Sequence, residues 1–325
     1  MTRITENSSH NAINYAVNKT KGKIEDLQLK GSTLKRVTKP SDDPIGNVEL
    51  LTIRSQNIDS AQYLRSLNFA QTHLAFTENV LSEMTDILTK AKELAVGQAS
   101  SIYGPEIRSG VAKEIHQLRE QMLNLSNKRL GNRYLFSGQK ILTRPFDQNG
   151  KYFGDQNKIN IEINKDVFLP INLTGKEVFF GPADPKNSVD RSELDISSDP
   201  VMTIRSPASI ENKVEVSIFD ELRALENAML TDNPQIIQSM LERLDNSINR
   251  VISARTQVGA LTNSLTNNES NLEKSKLFNE AHKSKIEDAD VSELFSELQK
   301  EQNVLQAAYR ASSTIANNSL MDFIK

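Results

Sequence analysis

Four histidines, His10, His73, His116 and His282, are the side chains of this sequence best suited to bind a metal or pass a proton near neutral pH. They lie far apart, and none has a second histidine or a cysteine at ligand spacing. Cysteine is absent, which excludes disulfides and thiolate metal sites. Ser137 stands in Leu135-Phe136-Ser137-Gly138-Gln139, a run without the first glycine of a nucleophile elbow, and no glycine loop that could cradle a phosphate occurs. Asp42 and Asp43 could act as a paired acid and base, but directly before Pro44 they read as a helix start. Glu287, Asp288 and Asp290 could gather a cation. The glycine and ligand spacing of a calcium loop are missing, so solvation is the reading. Phe278, Phe295 and Phe323 could stack single-stranded bases, yet they fall near helical core spacing and read as packing residues. These residues predict no catalytic site, no metal and no cofactor.

The elements that would position such groups are mostly helices. From Leu67 the sequence runs Leu67, Ala70, Leu74, Thr77, Leu81, Met84, Leu88, Ala91, Ala95 at alternating steps of three and four. This is a heptad seam, which needs partner helices. Burying a leucine contributes roughly 1.5–3 kcal/mol, whereas ordering the backbone costs about 1–2 kcal/mol per residue, so a single helix loses. Asp42-Asp43-Pro44 starts this helix, with acid at the positive end of the dipole. Its early register reads Val48, Ser55, Gln62, Phe69 and shifts before the leucine seam. The helix runs to about Gln98. A turn at Ser101 to Pro105 leads to a second seam, Val111, Ile115, Leu118, Met122, Leu125, which the short connection predicts to lie antiparallel to the first.

After Gly131 the period changes. Ile159, Ile161 and Ile163 alternate with polar residues, and Val167–Leu173 and Val178–Phe180 read as strands among Gly150, Gly154, Gly175, Gly181, Pro182 and Pro185. Tyr152, Phe153, Phe168, Phe179 and Phe180 read as the core of this small β insertion. Ser188–Pro200 reads as loop, with further strands at Val201–Arg205 and Val214–Ser217. Ser217 and Asp220 form a capping pair for a helix to about Leu230, and Asn233-Pro234 opens another. That last helix carries Ile237, Leu241, Leu244, Ile248, Val251, Arg255, Val258, Thr262, Leu265, Glu269, Leu272 and is expected to face the first pair.

The two ends carry weaker heptads: Ile13, Val17, Thr20, Ile24, Leu27, Gly31, Leu34 at one end, and Val291, Leu294, Leu298, Glu301, Leu305, Ala308, Ser312, Ile315, then Leu320 and Phe323, at the other. Residues 1–40 hold eight lysines and arginines against three acids; residues 286–325 hold seven acids against three basic residues. Opposite charge and matching period predict that the arms pair. Gly22 and Gly31 each cost about 1 kcal/mol in a helix, so the first arm is expected to be poorly ordered unless something docks on it.

The hydrophobic fraction, 37%, is low for one globule of 325 residues and favours thin, rod-like packing. A formal charge of -3 provides no basic field, so nucleic acid is not an expected partner. No apolar run of membrane-spanning length occurs and the first residues, MTRITENSSHNAINY, are polar, so neither membrane insertion nor a cleaved signal peptide is expected.

Three groups of residues are more specific. Lys35-Arg36-Val37-Thr38-Lys39-Pro40-Ser41-Asp42-Asp43-Pro44, Leu81-Ser82-Glu83 through Ala91-Lys92-Glu93-Leu94-Ala95-Val96, and Asn132-Arg133-Tyr134-Leu135-Phe136-Ser137-Gly138 resemble the flagellin superfamily, and within it the hook-associated type of the hook–filament junction. The closing Glu287-Asp288-Ala289-Asp290, Leu305-Gln306-Ala307-Ala308-Tyr309 and Ser319-Leu320-Met321-Asp322-Phe323-Ile324 resemble that family's C-terminus. In relatives a glycine usually precedes the Lys-Arg pair, whereas Leu34 stands there in this chain, so where the first helix ends is open.

The resemblance implies a mainly α fold with a small β insertion: an elongated antiparallel helical rod with paired terminal coiled-coil arms. Its expected division is residues 1–40 with 286–325 as arms in an axial core, 41–138 with 217–285 as the rod, and 139–216 as the outer insertion. It further implies a non-enzymatic structural part of the bacterial flagellum, secreted without cleavage and placed at the hook–filament junction. The implied partners are copies of itself in a junction ring, the adjoining hook-associated protein, flagellin, the flagellar export apparatus and an export chaperone. Expected assembly-interface residues are Ile13, Val17, Ile24, Leu27 and Leu34 with Leu298, Leu305, Ile315, Leu320 and Phe323. A flagellin filament subunit is the near alternative. A coiled-coil adhesin or tail-type binding protein is the alternative from another class.

Overall fold

A computed structural model describes the backbone of residues 2–100, 104–182 and 215–323, and the side chains of residues 11–100, 104–181 and 216–313. Among the described residues seven helices dominate: α1 (Thr2–Thr33), α2 (Pro44–Gln98), α3 (Pro105–Ser126), α4 (Gly175–Phe179), α5 (Ile218–Leu230), α6 (Pro234–Glu287) and α7 (Val291–Phe323). The same residues hold six short strands in three separate antiparallel pairs: β1 (Arg129–Leu130) with β2 (Arg133–Tyr134), β3 (Asn160–Asn164) with β4 (Val167–Pro170), and β5 (Phe180–Pro182) with β6 (Glu215–Ser217). The chain divides into two compact units, residues 1–62 with 271–325, and residues 63–270.

In the unit of residues 63–270 the leucine seam is the core. Leu67, Ala70, Leu74, Leu81, Met84, Leu88, Ala91 and Ala95 are fully covered. Facing them, α6 buries Ile237, Leu244, Val251, Val258 and Leu265. Three polar contacts fix the antiparallel register of the two helices: Gln71 Nε2 to Glu269 at 2.7 Å, Arg255 Nη2 to Glu78 at 2.8 Å, and Lys92 Nζ to Asp245 at 2.5 Å. Helix α3 packs along α5. His116 meets Glu226 at 3.0 Å across that pair, and Arg119 approaches the same carboxylate.

The β insertion is built on aromatic packing, although Phe153 and Phe168, expected in its core, are exposed. Phe146 lies within 4.7–6.5 Å, centroid to centroid, of Tyr152, Phe179, Phe180 and Phe219, and Phe136 meets Phe179 edge-on. Such edge-on and offset ring pairs add to what burial alone contributes. Val178 and Phe179 are helical, not extended as their composition suggests: Thr174 accepts from the Glu177 N–H and Glu177 reaches back to the Thr174 N–H, a capping box that nucleates α4. The strand expected at Val201–Arg205 and the loop at Ser188–Pro200 lie outside the described residues. At Ser217 the expected cap is present, the hydroxyl accepting from the Asp220 N–H at 3.1 Å.

In the unit of residues 1–62 and 271–325, α1 and α7 pack along each other, and the first turns of α2 pack antiparallel to the last turns of α6. Arg54 meets Glu287 at 2.8 Å, Asn279 bonds Asn57 at 3.3 Å, and His282 approaches Glu49 at 3.6 Å. The buried register of α2 in this unit is Leu50, Ile53 and Ser60; Val48 and Ser55, expected in the seam, are exposed, as are Gln62 and Phe69 beyond them.

Candidate assembly interface

The arms meet through the expected heptad. Val17, Thr20 and Ile24 of α1 and Leu294 of α7 are buried, while Ile13, Leu27, Leu298 and Leu305 are half-covered. Lys23 Nζ bonds Glu301 at 2.8 Å, Lys21 sits over the Tyr309 ring, and a Cβ on Gly31 would lie 3.2 Å from Leu294 Cδ2. These contacts pair a basic helix with an acidic one in antiparallel register. The Glu301 hydrogen bond and charge raise the Lys23 ammonium above its usual range. Helix α7 thus supplies the docking that the first arm needs. Ile315, Leu320 and Phe323 belong to α7 or its end, but their side chains lie outside the described residues. Leu34 is exposed, together with Tyr15, Leu29, Val291, Phe295, Val304 and Tyr309.

Between arms and stem lies a joint that no sequence pattern announces. Helix α1 ends at Thr33, and Leu34 takes a left-handed φ of 54°, the conformation in which glycine commonly closes a helix. The segment after it pairs with the end of α6: the Arg36 N–H donates to Glu287 O at 2.7 Å and the Ala289 N–H to Leu34 O at 3.0 Å. Glu287 itself is only 2% exposed. Its carboxylate takes Lys35 at 2.7 Å, Arg54 at 2.8 Å and Lys283 at 3.7 Å. Burial alone would push this carboxyl up; the Lys35 hydrogen bond and the charges of Lys35, Arg54 and Lys283 overcome that and hold it below its ordinary value. The three neighbouring acids therefore have different roles, contrary to the single solvated cluster expected. Glu287 is buried among cations, Asp288 accepts from the Ser284 hydroxyl at 2.5 Å, and Asp290 caps α7 through the Ser292 and Glu293 N–H groups.

The motif residues are structural. Asp42 Oδ2 accepts from the N–H groups of Thr38 and Lys39 and from the Thr38 hydroxyl, closing the turn around Pro40 and Ser41. Those bonds to the charged form lower its carboxyl. Asp43 caps α2, accepting from the Gly46 N–H at 2.8 Å ahead of Pro44 at the first helical position. In the second motif, Asn132 with Gly131 before it turns the β1–β2 hairpin, Arg133 pairs with Leu130 as the first residue of β2, Arg129 covers and bonds Tyr134, and Leu135, Phe136 and Ser137 are buried. Phe136 O accepts from Gly175 N and the Tyr152 hydroxyl, each at 2.9 Å, so the run anchors the insertion. Burial raises the Tyr152 phenol to about 12.

Among the described residues the histidines do not converge. His73 is buried against Phe69, where burial lowers its pKa, and His116 and His282 meet carboxylates on facing helices. The side chain of His10 lies outside the described residues. No group of three metal-ligating side chains gathers, and no helix is long and apolar enough to cross a membrane, among the described residues. Val48 and Phe278, expected as seam and packing residues, lie on an open surface. Ile45, Val48, Leu51 and Ile58 of α2, with Leu277 and Phe278 of α6, are more than half exposed. Their density was the available signal, since so many large apolar residues exceed what one buried face can take.

Residues 4–141 match the bacterial flagellin N-terminal helical region and residues 241–324 the bacterial flagellin C-terminal helical region. Flagellar hook-associated protein 3 of Escherichia coli K12 is 29% identical over 301 residues, covering 90% of both chains, and its Salmonella typhimurium counterpart is 28% identical, covering 89% of both. Among solved structures, a putative flagellar hook-associated protein from Vibrio parahaemolyticus aligns with a TM-score of 0.61 at 21% identity, over 76% of this chain and all of that one. Hook-associated protein 3 of Legionella pneumophila aligns with a TM-score of 0.59 at 17% identity, over 72% of this chain and 98% of that one. The mainly helical fold, with its paired terminal arms and both terminal regions matched, places this chain in the bacterial flagellin family.

Proposed function

We propose that this chain is a structural, non-enzymatic component of the bacterial flagellum that joins hook to filament as a hook-associated junction protein. The observation that carries this reading is the end-to-end likeness to two proteins named flagellar hook-associated protein 3, each matched over about nine-tenths of both chains. A filament subunit is the second reading, favoured by a 25% identity over 289 residues to flagellin of Bacillus subtilis. The junction reading rests additionally on Pro40-Ser41-Asp42-Asp43-Pro44 and Asn132-Arg133-Tyr134-Leu135-Phe136-Ser137-Gly138, the two motifs that separate the types by resemblance.

In this proposal the arms, residues 1–40 and 286–325, lodge in the axial core, 41–138 and 217–285 form the rod, and 139–216 face outward. The chain leaves the cell through the flagellar export apparatus, escorted by an export chaperone, and sits in a ring of its own copies between the adjoining hook-associated protein and flagellin. The arms bury little apolar surface as a two-helix pair. Neighbouring copies then supply what ordering them costs. Exposed apolar residues on both arms support this, as does the open stripe on α2.

Cells lacking the chain should build hooks, release flagellin into the medium and carry no filaments; filaments of normal length in such cells would refute the junction role. A chain ending after Ser312 should keep the α2–α6 core folded and fail to incorporate. Deleting residues 139–214 separates the adhesin reading, because a junction protein keeps most of its assembly whereas a receptor-binding head loses its function.

A further inference from the structure

Both arms leave the stem at one place, and one carboxylate holds that place together. Glu287 is the last residue of α6 and its side chain is 3% exposed, while the three cations around it keep between 37% and 48% of theirs. Each cation comes from a different part of the joint. Lys35 belongs to the segment leaving α1, Arg54 to α2, and Lys283 to the preceding turn of α6. The Glu287 carbonyl accepts from Arg36 N on the first arm's root, and two residues on, Ala289 N donates back to Leu34 O. Arg36 completes the joint by donating to Ile286 O at 2.9 Å and approaching Asp43 at 3.3 Å. So a single anionic side chain touches the root of the first arm and both stem helices, while its own backbone leads into the second arm.

The electrostatics are asymmetric. One buried negative charge is set among three positive ones, and without it Lys35, Arg54 and Lys283 would repel across a joint with reduced access to water. Loss of the charge therefore does more than remove one bond: it turns an attractive cluster into a repulsive one. Arms held by a thin seam and a few bonds around Arg36 and Leu34 would then open together.

We propose that Glu287 is a latch that fixes both terminal arms to the α2–α6 stem, so that neutralising this one carboxylate releases α1 and α7 as a pair. This inference concerns the isolated chain and does not depend on where the protein sits in the flagellum. The test is amide hydrogen exchange on the full chain, comparing wild type, Glu287→Gln and Asp288→Asn. In Glu287→Gln, the amides of Arg36, Ala289 and both arms should exchange about tenfold faster or more, as expected for losing charged hydrogen bonds. Amides of residues 63–98 and 237–265 should keep their wild-type rates, which also establishes that the variant is folded. Asp288→Asn, which touches only the neighbouring acid, should leave both arms as in wild type. The latch is overturned if the arms of Glu287→Gln exchange at wild-type rates, if only one arm loosens, or if Asp288→Asn loosens them equally. Should Glu287→Gln lose protection throughout the chain, Arg54→Gln with Lys35→Gln decides the matter: loosened arms with residues 63–98 protected uphold the latch, and unchanged arms overturn it.

Discussion

The backbone N–H of Ala289 donates to the carbonyl of Leu34 at 3.0 Å, and Leu34 offers that carbonyl from a left-handed conformation with φ at 54°. A branched side chain in this region is strained by roughly 1–2 kcal/mol, which glycine avoids. The Leu34 side chain is exposed and contributes little burial in return. Leu34→Gly should therefore stabilise the isolated chain by about 1 kcal/mol, less the added freedom of the unfolded state. Urea unfolding followed at the arms would measure it. If assembly uses the exposed leucine, the same variant will be more stable and yet incorporate less well.

Gly138 closes the second family motif with φ at 71°, and a Cβ there would run into Asp155, approaching its backbone oxygen to 2.5 Å. Asp155 is already engaged, its carboxylate accepting from Gln139 N at 2.7 Å and its N–H donating to Ser137 O at 3.1 Å. The neighbour cannot move without breaking those bonds. Gly138→Ala should cost about 2–4 kcal/mol, combining left-handed strain with a backbone clash. Thermal unfolding should show the loss, and an unchanged midpoint would mean that the hairpin is free to shift.

What was legible in the sequence depended on how sharply a pattern chose one face. Leu67 to Ala95 offered one apolar stripe with polar residues elsewhere, and every apolar position of that stripe is covered. At the start of the same helix, Ile45, Val48, Leu51 and Ile58 lie outside while Leu50 and Ile53 lie inside, so apolar residues occur on both faces and period alone selected the wrong one. Val178 and Phe179 looked extended because β-rich composition outweighed the Thr174–Glu177 capping signal. Opposite charge and matching heptads correctly paired the arms. Nothing local marked Glu287 among three acids as the one to be buried, since Arg54, its partner on α2, is 233 residues away.

Arg108 of α3 is 2% exposed, bonds Asp232 in the α5–α6 turn and donates to Ser100 O at 2.7 Å. One guanidinium thus ties the chain before α3 to the turn before α6, a use of its rigid, multi-donor geometry that lysine cannot reproduce. Breaking a buried pair strands the remaining polar groups. Arg108→Ala should destabilise by about 3 kcal/mol, whereas Asp232→Asn, at a site with more water access, should cost about 1 kcal/mol. Equilibrium denaturation of both variants would test the ranking; equal losses would show that packing of the arginine stem, not its charge, matters.

Glu221 of α5 is 6% exposed and accepts a hydrogen bond from the Ser247 hydroxyl on α6. Burial pushes its carboxyl up, against the Ser247 bond and the charges of Arg250 and Arg243, which pull it down, while Asp220 pushes it up further. A folded-state pKa above the unfolded one means that the folded protein binds the proton more tightly. The resulting stabilisation is complete below the ordinary glutamate range near pH 4.3 and disappears as pH rises through the raised value. Wherever the wild type is ionised it holds a buried charge that Glu221→Gln does not, and glutamine can still accept from Ser247. Above the raised value the variant should be the more stable by about 1 kcal/mol, and the difference should close as pH falls toward 4. Unfolding midpoints of both proteins across pH 4–8 would check the sign. A difference that widened toward acid would mean that Arg250 and Arg243 dominate and that the carboxylate is held charged.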